Sequence, residues 1–62
     1  MTIYVDETGH VWEERCFPPP LDWKPGNVIK VRGARFSIVS IHRELSPYPR
    51  EPKNKVVIRG VD

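Results

Sequence analysis

Lys24-Pro25-Gly26-Asn27-Val28-Ile29-Lys30-Val31-Arg32-Gly33-Ala34-Arg35-Phe36-Ser37-Ile38-Val39 is the stretch on which the fold turns. Proline at the second turn position presets φ, and glycine at the third supplies the positive φ that follows, so Lys24–Asn27 reads as a type II turn. Val28-Ile29-Lys30-Val31-Arg32 then alternates, with Ile29 and Val31 on one face and Lys30 and Arg32 on the other. Gly33-Ala34, glycine first, suits a two-residue type II′ hairpin turn. A return strand begins at Arg35.

That return strand carries an ambiguity. Phe36 and Ile38 alternate with Arg35 and Ser37, as a strand requires, yet Ile38, Ile41, His42 and Leu45 also match a helical spacing. The β-branched Ile38, Val39 and Ile41 and the preceding hairpin favour a strand over Arg35–Leu45. The apolar phase slips between Ile38 and Ile41. A bulge or bend near Val39-Ser40 accounts for the slip.

Working outward, Thr2-Ile3-Tyr4-Val5 and His10-Val11-Trp12-Glu13-Glu14-Arg15 flank Asp6-Glu7-Thr8-Gly9. This is the pattern of a hairpin closed by a type I turn with glycine in the left-handed position. Pro18-Pro19-Pro20 is excluded from helix interiors and central strands and reads as polyproline II. Ser46-Pro47-Tyr48-Pro49-Arg50-Glu51-Pro52 reads as an extended surface loop. Lys55-Val56-Val57-Ile58-Arg59 is a last short strand ended by Gly60.

Five short strands and no helix predict an all-β fold, a small five-stranded barrel built from antiparallel hairpins and occupying 1–62 as one domain. Its expected core is Ile3, Val5, Val11, Ile29, Val31, Phe36, Ile38, Val56 and Ile58. The phrase from Trp23 to Val39 resembles the turn–strand–hairpin–strand segment common in SH3-like barrels. Members of that class bind proline-rich peptides, nucleic acids or other proteins, and many are purely structural, so the resemblance implies a binding module without selecting its ligand. The chain also resembles short bacteriophage or prophage reading frames in its compactness and proline punctuation.

Bulk composition narrows the function classes. In 62 residues with seven prolines there is room for one small core and little for a composed catalytic pocket. A hydrophobic fraction of 39% is normal for a globular chain. Cys16 is the only cysteine, so no internal disulfide forms; it is expected to be a buried small hydrophobe in a reducing compartment. The first residues lack the basic and apolar regions of a signal peptide, and no apolar run reaches the roughly 20 residues of a membrane span. The reading is a cytoplasmic protein, monomeric or weakly dimeric, away from the membrane.

The chemistry-bearing residues form no catalytic pattern. Cys16, His10 and His42 show no zinc-ligand spacing, and no cofactor or metal is expected. No oxyanion loop or orienting acid accompanies Cys16 and the histidines. Glu13 and Glu14 are strand neighbours on opposite faces, and the four glycines are isolated single turns with no phosphate-binding loop. The expectation is that the protein is not an enzyme.

Two surfaces remain. Large aromatics are enriched at interface hot spots, which makes Trp12, Trp23 and Tyr48 the candidates for contacting a protein partner, with Phe17 beside them; Trp23 also suits a packing role over the prolines. Charge supplies the other. Residues 1–23 hold five acids and one base, a balance of −4, whereas residues 24–62 hold nine bases and three acids, a balance of +6. Lys30, Arg32, Arg35, Arg43, Lys53, Lys55 and Arg59 are the candidates for following a phosphate backbone. The leading expectation is a non-catalytic module for a protein partner, an adaptor or inhibitor of phage type, and the alternative is an RNA- or DNA-binding module.

Overall fold

The computed structural model describes residues 1–43 and 53–61. Strand β1 (Thr2–Asp6) pairs antiparallel with β2 (Val11–Arg15), and β3 (Val28–Val31) pairs antiparallel with β4 (Ala34–Arg43). Strand β5 (Asn54–Gly60) lies between these hairpins, antiparallel to β4 and parallel to β1. The order is β2-β1-β5-β4-β3, one mixed sheet in which the last strand is the central one. Among the described residues all regular structure is strand, as the sequence predicts.

The sheet curls into a half-barrel. Trp12 on edge strand β2 meets Phe36 on β4 with ring centroids 5.1 Å apart. Arg15, at the end of the same edge, reaches the Lys30 carbonyl of the opposite edge strand at 3.4 Å. Inside the curl Tyr4, Val31, Phe36, Ile38, Val56 and Ile58 form the buried cluster, with Trp12, Trp23, Ile29 and Ile41 packed against it. Each fully buried aliphatic side chain of this kind contributes about 1.5–3 kcal/mol.

Two bulges set which residues face inward. On β4 the pairing steps from Ile38↔Ile58 to Ser40↔Val57, leaving Val39 as the extra residue. Phe36, Ile38 and Ile41 therefore all point into the curl, and the predicted phase slip is a β-bulge. On β2 the pairing steps from Tyr4↔Glu13 to Val5↔Val11, which leaves Trp12 as the extra residue.

The second bulge corrects the expected core. Trp12 takes the inward place assigned to Val11, and Val11 is left 45% exposed. On β1 the inward residues are Thr2 and Tyr4, partnered by Asn54 and Val56, so Ile3 faces outward and is only half-buried. Val5 is buried, but on the outer face beside its partner Val57. Ile29 on edge strand β3 is half-buried and packs against the core, whereas Val31 of the same strand is fully buried. Cys16, expected inside, is exposed just beyond the end of β2.

The turns follow the same local rules with one correction. In the first hairpin the Gly9 amide donates to the Asp6 carbonyl at 3.0 Å and the Asp6 amide to the His10 carbonyl at 3.0 Å. At Lys24–Asn27 the Asn27 amide donates to the Lys24 carbonyl at 3.1 Å around Gly26 at φ 98°, the predicted type II geometry. In the second hairpin Val31 pairs with Ala34, so the turn residues are Arg32 and Gly33, not Gly33 and Ala34. Both have positive φ, 52° and 80°, as a type I′ turn demands.

Candidate functional site

The chain between β2 and β3 crosses one end of the half-barrel. Proline fixes its own φ and restricts the residue before it to extended conformations, so Phe17, Pro18 and Pro19, each followed by proline, have few alternatives to polyproline II. The folded sheet then holds this segment by its carbonyls. The buried Thr2 hydroxyl donates to the Phe17 carbonyl at 2.5 Å. Arg43 spreads its guanidinium over two successive carbonyls, Nη1 to Pro19 and Nη2 to Pro20, both at 3.0 Å. The Trp23 amide adds a further bond to the Pro20 carbonyl at 3.2 Å.

Only Pro19 of this segment is buried. Pro18 and Pro20 are exposed, Phe17 is 73% exposed and Leu21 is 91% exposed. A backbone fixed at three carbonyls thus displays two large apolar side chains and two proline rings to solvent.

The sequence-predicted aromatics lie elsewhere. Trp12 is half-buried, its Nε1 donating to Asp6 Oδ2 at 3.1 Å and its ring edge-on to His10 with centroids 5.1 Å apart. Trp23 is half-buried and packs against the core cluster, its ring edge-on to Tyr4 with centroids 6.2 Å apart. Tyr48 lies outside the described residues. Phe17 is legible in the sequence as an aromatic beside the prolines, whereas the exposure of Leu21 is set by the fold and has no local signal.

Charged side chains near Trp12 are tied down locally. Asp6 Oδ1 accepts from the Thr8 amide at 2.8 Å, the Thr8 hydroxyl at 2.5 Å and the His10 amide at 3.1 Å. The Thr8 hydroxyl, helped by Trp12 and the two amides and opposed by partial desolvation, holds the Asp6 carboxyl down at about 2. Arg59 grips Glu7 with Nε at 2.5 Å and Nη2 at 3.0 Å, which lowers the Glu7 carboxyl and raises Arg59. Arg15 lies over the Tyr4 ring at 4.8 Å and pairs with Glu13 at 2.5 Å. Burial pushes the Tyr4 phenol up against the lowering influence of Arg15.

The basic candidates divide between places. Lys30 and Arg35 are directly opposite each other on the outer face, where Lys55 and Arg59 also lie. Arg32 sits at the hairpin tip, and Arg43 is turned to the other face by its proline carbonyls. Lys53 and Lys55 border an open groove of about 690 Å³ whose lining includes Met1, Ile3 and His42.

No family model, curated protein or solved structure matches the chain.

Two further features bear on chemistry. Ser40 Oγ and His42 Nε2 lie 3.1 Å apart on the solvent side of β4, but no carboxylate among the described residues bonds the ring. Among the described residues no group of three or more His, Cys, Asp and Glu side chains could hold a metal ion. Nor is any helix there long and apolar enough to cross a membrane.

Proposed function

We propose that the protein is a non-catalytic binding module that engages a protein partner through the ridge formed by residues 17–21. The observation that carries this reading is the exposure of Phe17 at 73% and Leu21 at 91% on a backbone anchored by Thr2, Arg43 and Trp23. Large apolar side chains in solvent are a standing cost unless something covers them, and a rigid display reduces the ordering entropy lost on binding. In this reading Trp12 and Trp23 shape the module from within, and Phe17 and Leu21 supply the contact. Such a module acts as an adaptor or as an inhibitor according to what its partner does.

A photo-crosslinking residue at position 21, compared with one at position 28 on the exposed Val28 of β3, outside the 17–21 segment, tests the reading in cells that make the protein. The expected result is an adduct of one defined mass from position 21 and none from position 28. Equal, diffuse labelling from both positions would refute it.

A second reading, nucleic-acid binding, rests on a different observation. Lys30 and Arg35 face each other across the β3–β4 ladder, and neither forms an ion pair with any described residue. Like charges directly opposite are destabilising, and a phosphate laid between them relieves the repulsion.

A further inference from the structure

Resting on the reading of the 17–21 ridge as a protein-binding surface, we infer that the partner it meets is a second copy of this chain. Each copy seats its ridge in the other's groove beside Met1 and Ile3, in a closed two-fold dimer.

The argument starts from how the ridge ends. The Trp23 amide on the Pro20 carbonyl at 3.2 Å closes a turn whose two central residues are Leu21 and Asp22. Central turn positions project from the chain, which accounts for Leu21 at 91% exposure and for the exposed Asp22 beside it. Asp22 forms no ion pair with any described residue. The ridge therefore ends in an apolar tip with an uncompensated negative charge next to it.

The groove of about 690 Å³ has the opposite charge, and its size is that of a cavity able to take up a ligand. Met1 and Ile3 give it apolar surface, to which the aliphatic stems of Lys53 and Lys55 add. Both lysines are exposed and pair with no described carboxylate, and none of the described lining residues is an acid.

The two surfaces adjoin. Arg43 holds the Pro19 and Pro20 carbonyls of the ridge and also lines the groove. Thr2, which holds the Phe17 carbonyl, lies between Met1 and Ile3 in the chain. Leu21 stands in solvent, so the ridge does not fill the groove of its own chain. A two-fold operation brings each ridge to the other copy's groove, making one contact twice and ending assembly at two chains. It covers Phe17 and Leu21 of both copies and sets each Asp22 against Lys53 and Lys55 of the other. The five ridge residues and the seven described groove residues make twelve a side, against the roughly 20–30 of a standard interface, so the dimer is a weak one.

Sedimentation of the intact chain across the micromolar range tests this. The mass should rise from one chain to two and stop there. Phe17→Ala with Leu21→Ala should weaken dimerisation tenfold or more. Asp22→Lys should do the same, and so should Lys53→Asp with Lys55→Asp. Mixing these two charge variants should recover dimers, because each then meets the charge that its own copies lack; a misfolded variant has no such rescue. In the crosslinking experiment the position-21 adduct should have twice the 7.2 kDa mass of one chain. A chain that stays monomeric, a mass that grows past two chains, or charge variants that stay apart when mixed would each overturn the inference. A monomeric chain whose position-21 adduct contains a different protein leaves the binding-module reading standing. Diffuse labelling from positions 21 and 28 removes both.

Discussion

Arg43 and Pro19 stand 24 positions apart in the sequence, and the guanidinium Nη1 of one donates to the backbone carbonyl of the other at 3.0 Å. Because Nη2 bonds the next carbonyl at the same distance, one planar side chain fixes two consecutive peptide units. This is geometry that arginine's fork supplies and a lysine ammonium does not. The relationship joins the end of β4 to the segment that displays Phe17 and Leu21.

Arg43→Ala should therefore destabilise the fold by about 1.5–3 kcal/mol, the usual worth of hydrogen bonds to a charged group. Urea unfolding gives the stability, and hydrogen exchange at the Trp23 amide reports the local loosening. Arg43→Lys should recover only part of the loss, because the charge returns without the paired geometry. Full recovery by lysine would mean that charge alone matters.

Arg32 occupies a left-handed conformation at φ 52°, in a turn whose preferred residues are Asn-Gly. Replacing it with asparagine, which tolerates that region, should raise stability by about 0.5–1 kcal/mol. Gly33→Ala, at φ 80°, should lower stability by about 1 kcal/mol even though a Cβ there would meet nothing within 4 Å. Thermal melts of the two variants should shift in opposite directions. A destabilised Arg32→Asn variant would contradict the turn assignment.

Acid should act on the first hairpin in a definite window. The Asp6 carboxyl is held at about 2, below its ordinary value of 3.8, so the folded state prefers it ionised. Its contribution is fully present above about pH 4 and is lost as the pH falls toward 2. Asp6→Asn removes this titration. Between pH 5 and pH 2 the unmodified protein should lose more stability than the Asn variant; parallel losses would show that the Thr8 and Trp12 bonds do not hold the charge. Glu7 is also lowered, through Arg59, and titrates in both proteins; the Asp6 charge raises it, so Glu7 lies somewhat lower still in the Asn variant.

The nucleic-acid reading has its own measurement. Labelled single- and double-stranded oligonucleotides titrated at 50 and 200 mM salt should bind with an affinity that falls steeply with salt if Lys30 and Arg35 meet phosphates. Lys30→Glu with Arg35→Glu should then abolish binding without unfolding the chain, since both residues are exposed. Absence of binding at the lower salt removes this reading.

What the sequence reveals about this protein is governed by the range of the interaction. The type II turn at Pro25-Gly26, the Asp6–Gly9 loop and the Val39 bulge are all legible, because each depends on neighbours within a few positions. The Arg32-Gly33 turn is misread by one residue, since arginine is a poor left-handed residue and a glycine-first turn is the more economical assignment. Tyr4 is missed as a core residue because Thr2, Ile3, Tyr4 and Val5 alternate ambiguously, and only pairing with Val56 selects the inner face. The parallel contact of β1 with β5 has no connecting turn to announce it.

The candidate ridge divides in the same way. Its proline backbone is evident from residues 18–20 alone, but the Arg43 and Thr2 anchors arrive from distant strands. The choice of Pro19 as the seated ring is a property of the folded sheet, so the exposure of Leu21 is not visible in the residues around it.

The position of β5 has a consequence for how the protein is made. The strand that joins the two hairpins is the last of the five to leave the ribosome, and its place lies in the middle of the sheet. Until it emerges, β1 and β4 have no common neighbour, and the nascent chain carries two separate hairpins whose apolar sides are uncovered. Isolated two-stranded hairpins are at best marginal in water. Assembly of this sheet is therefore a single late event, and a chain that stops short of Asn54 lacks the strand on which both halves close.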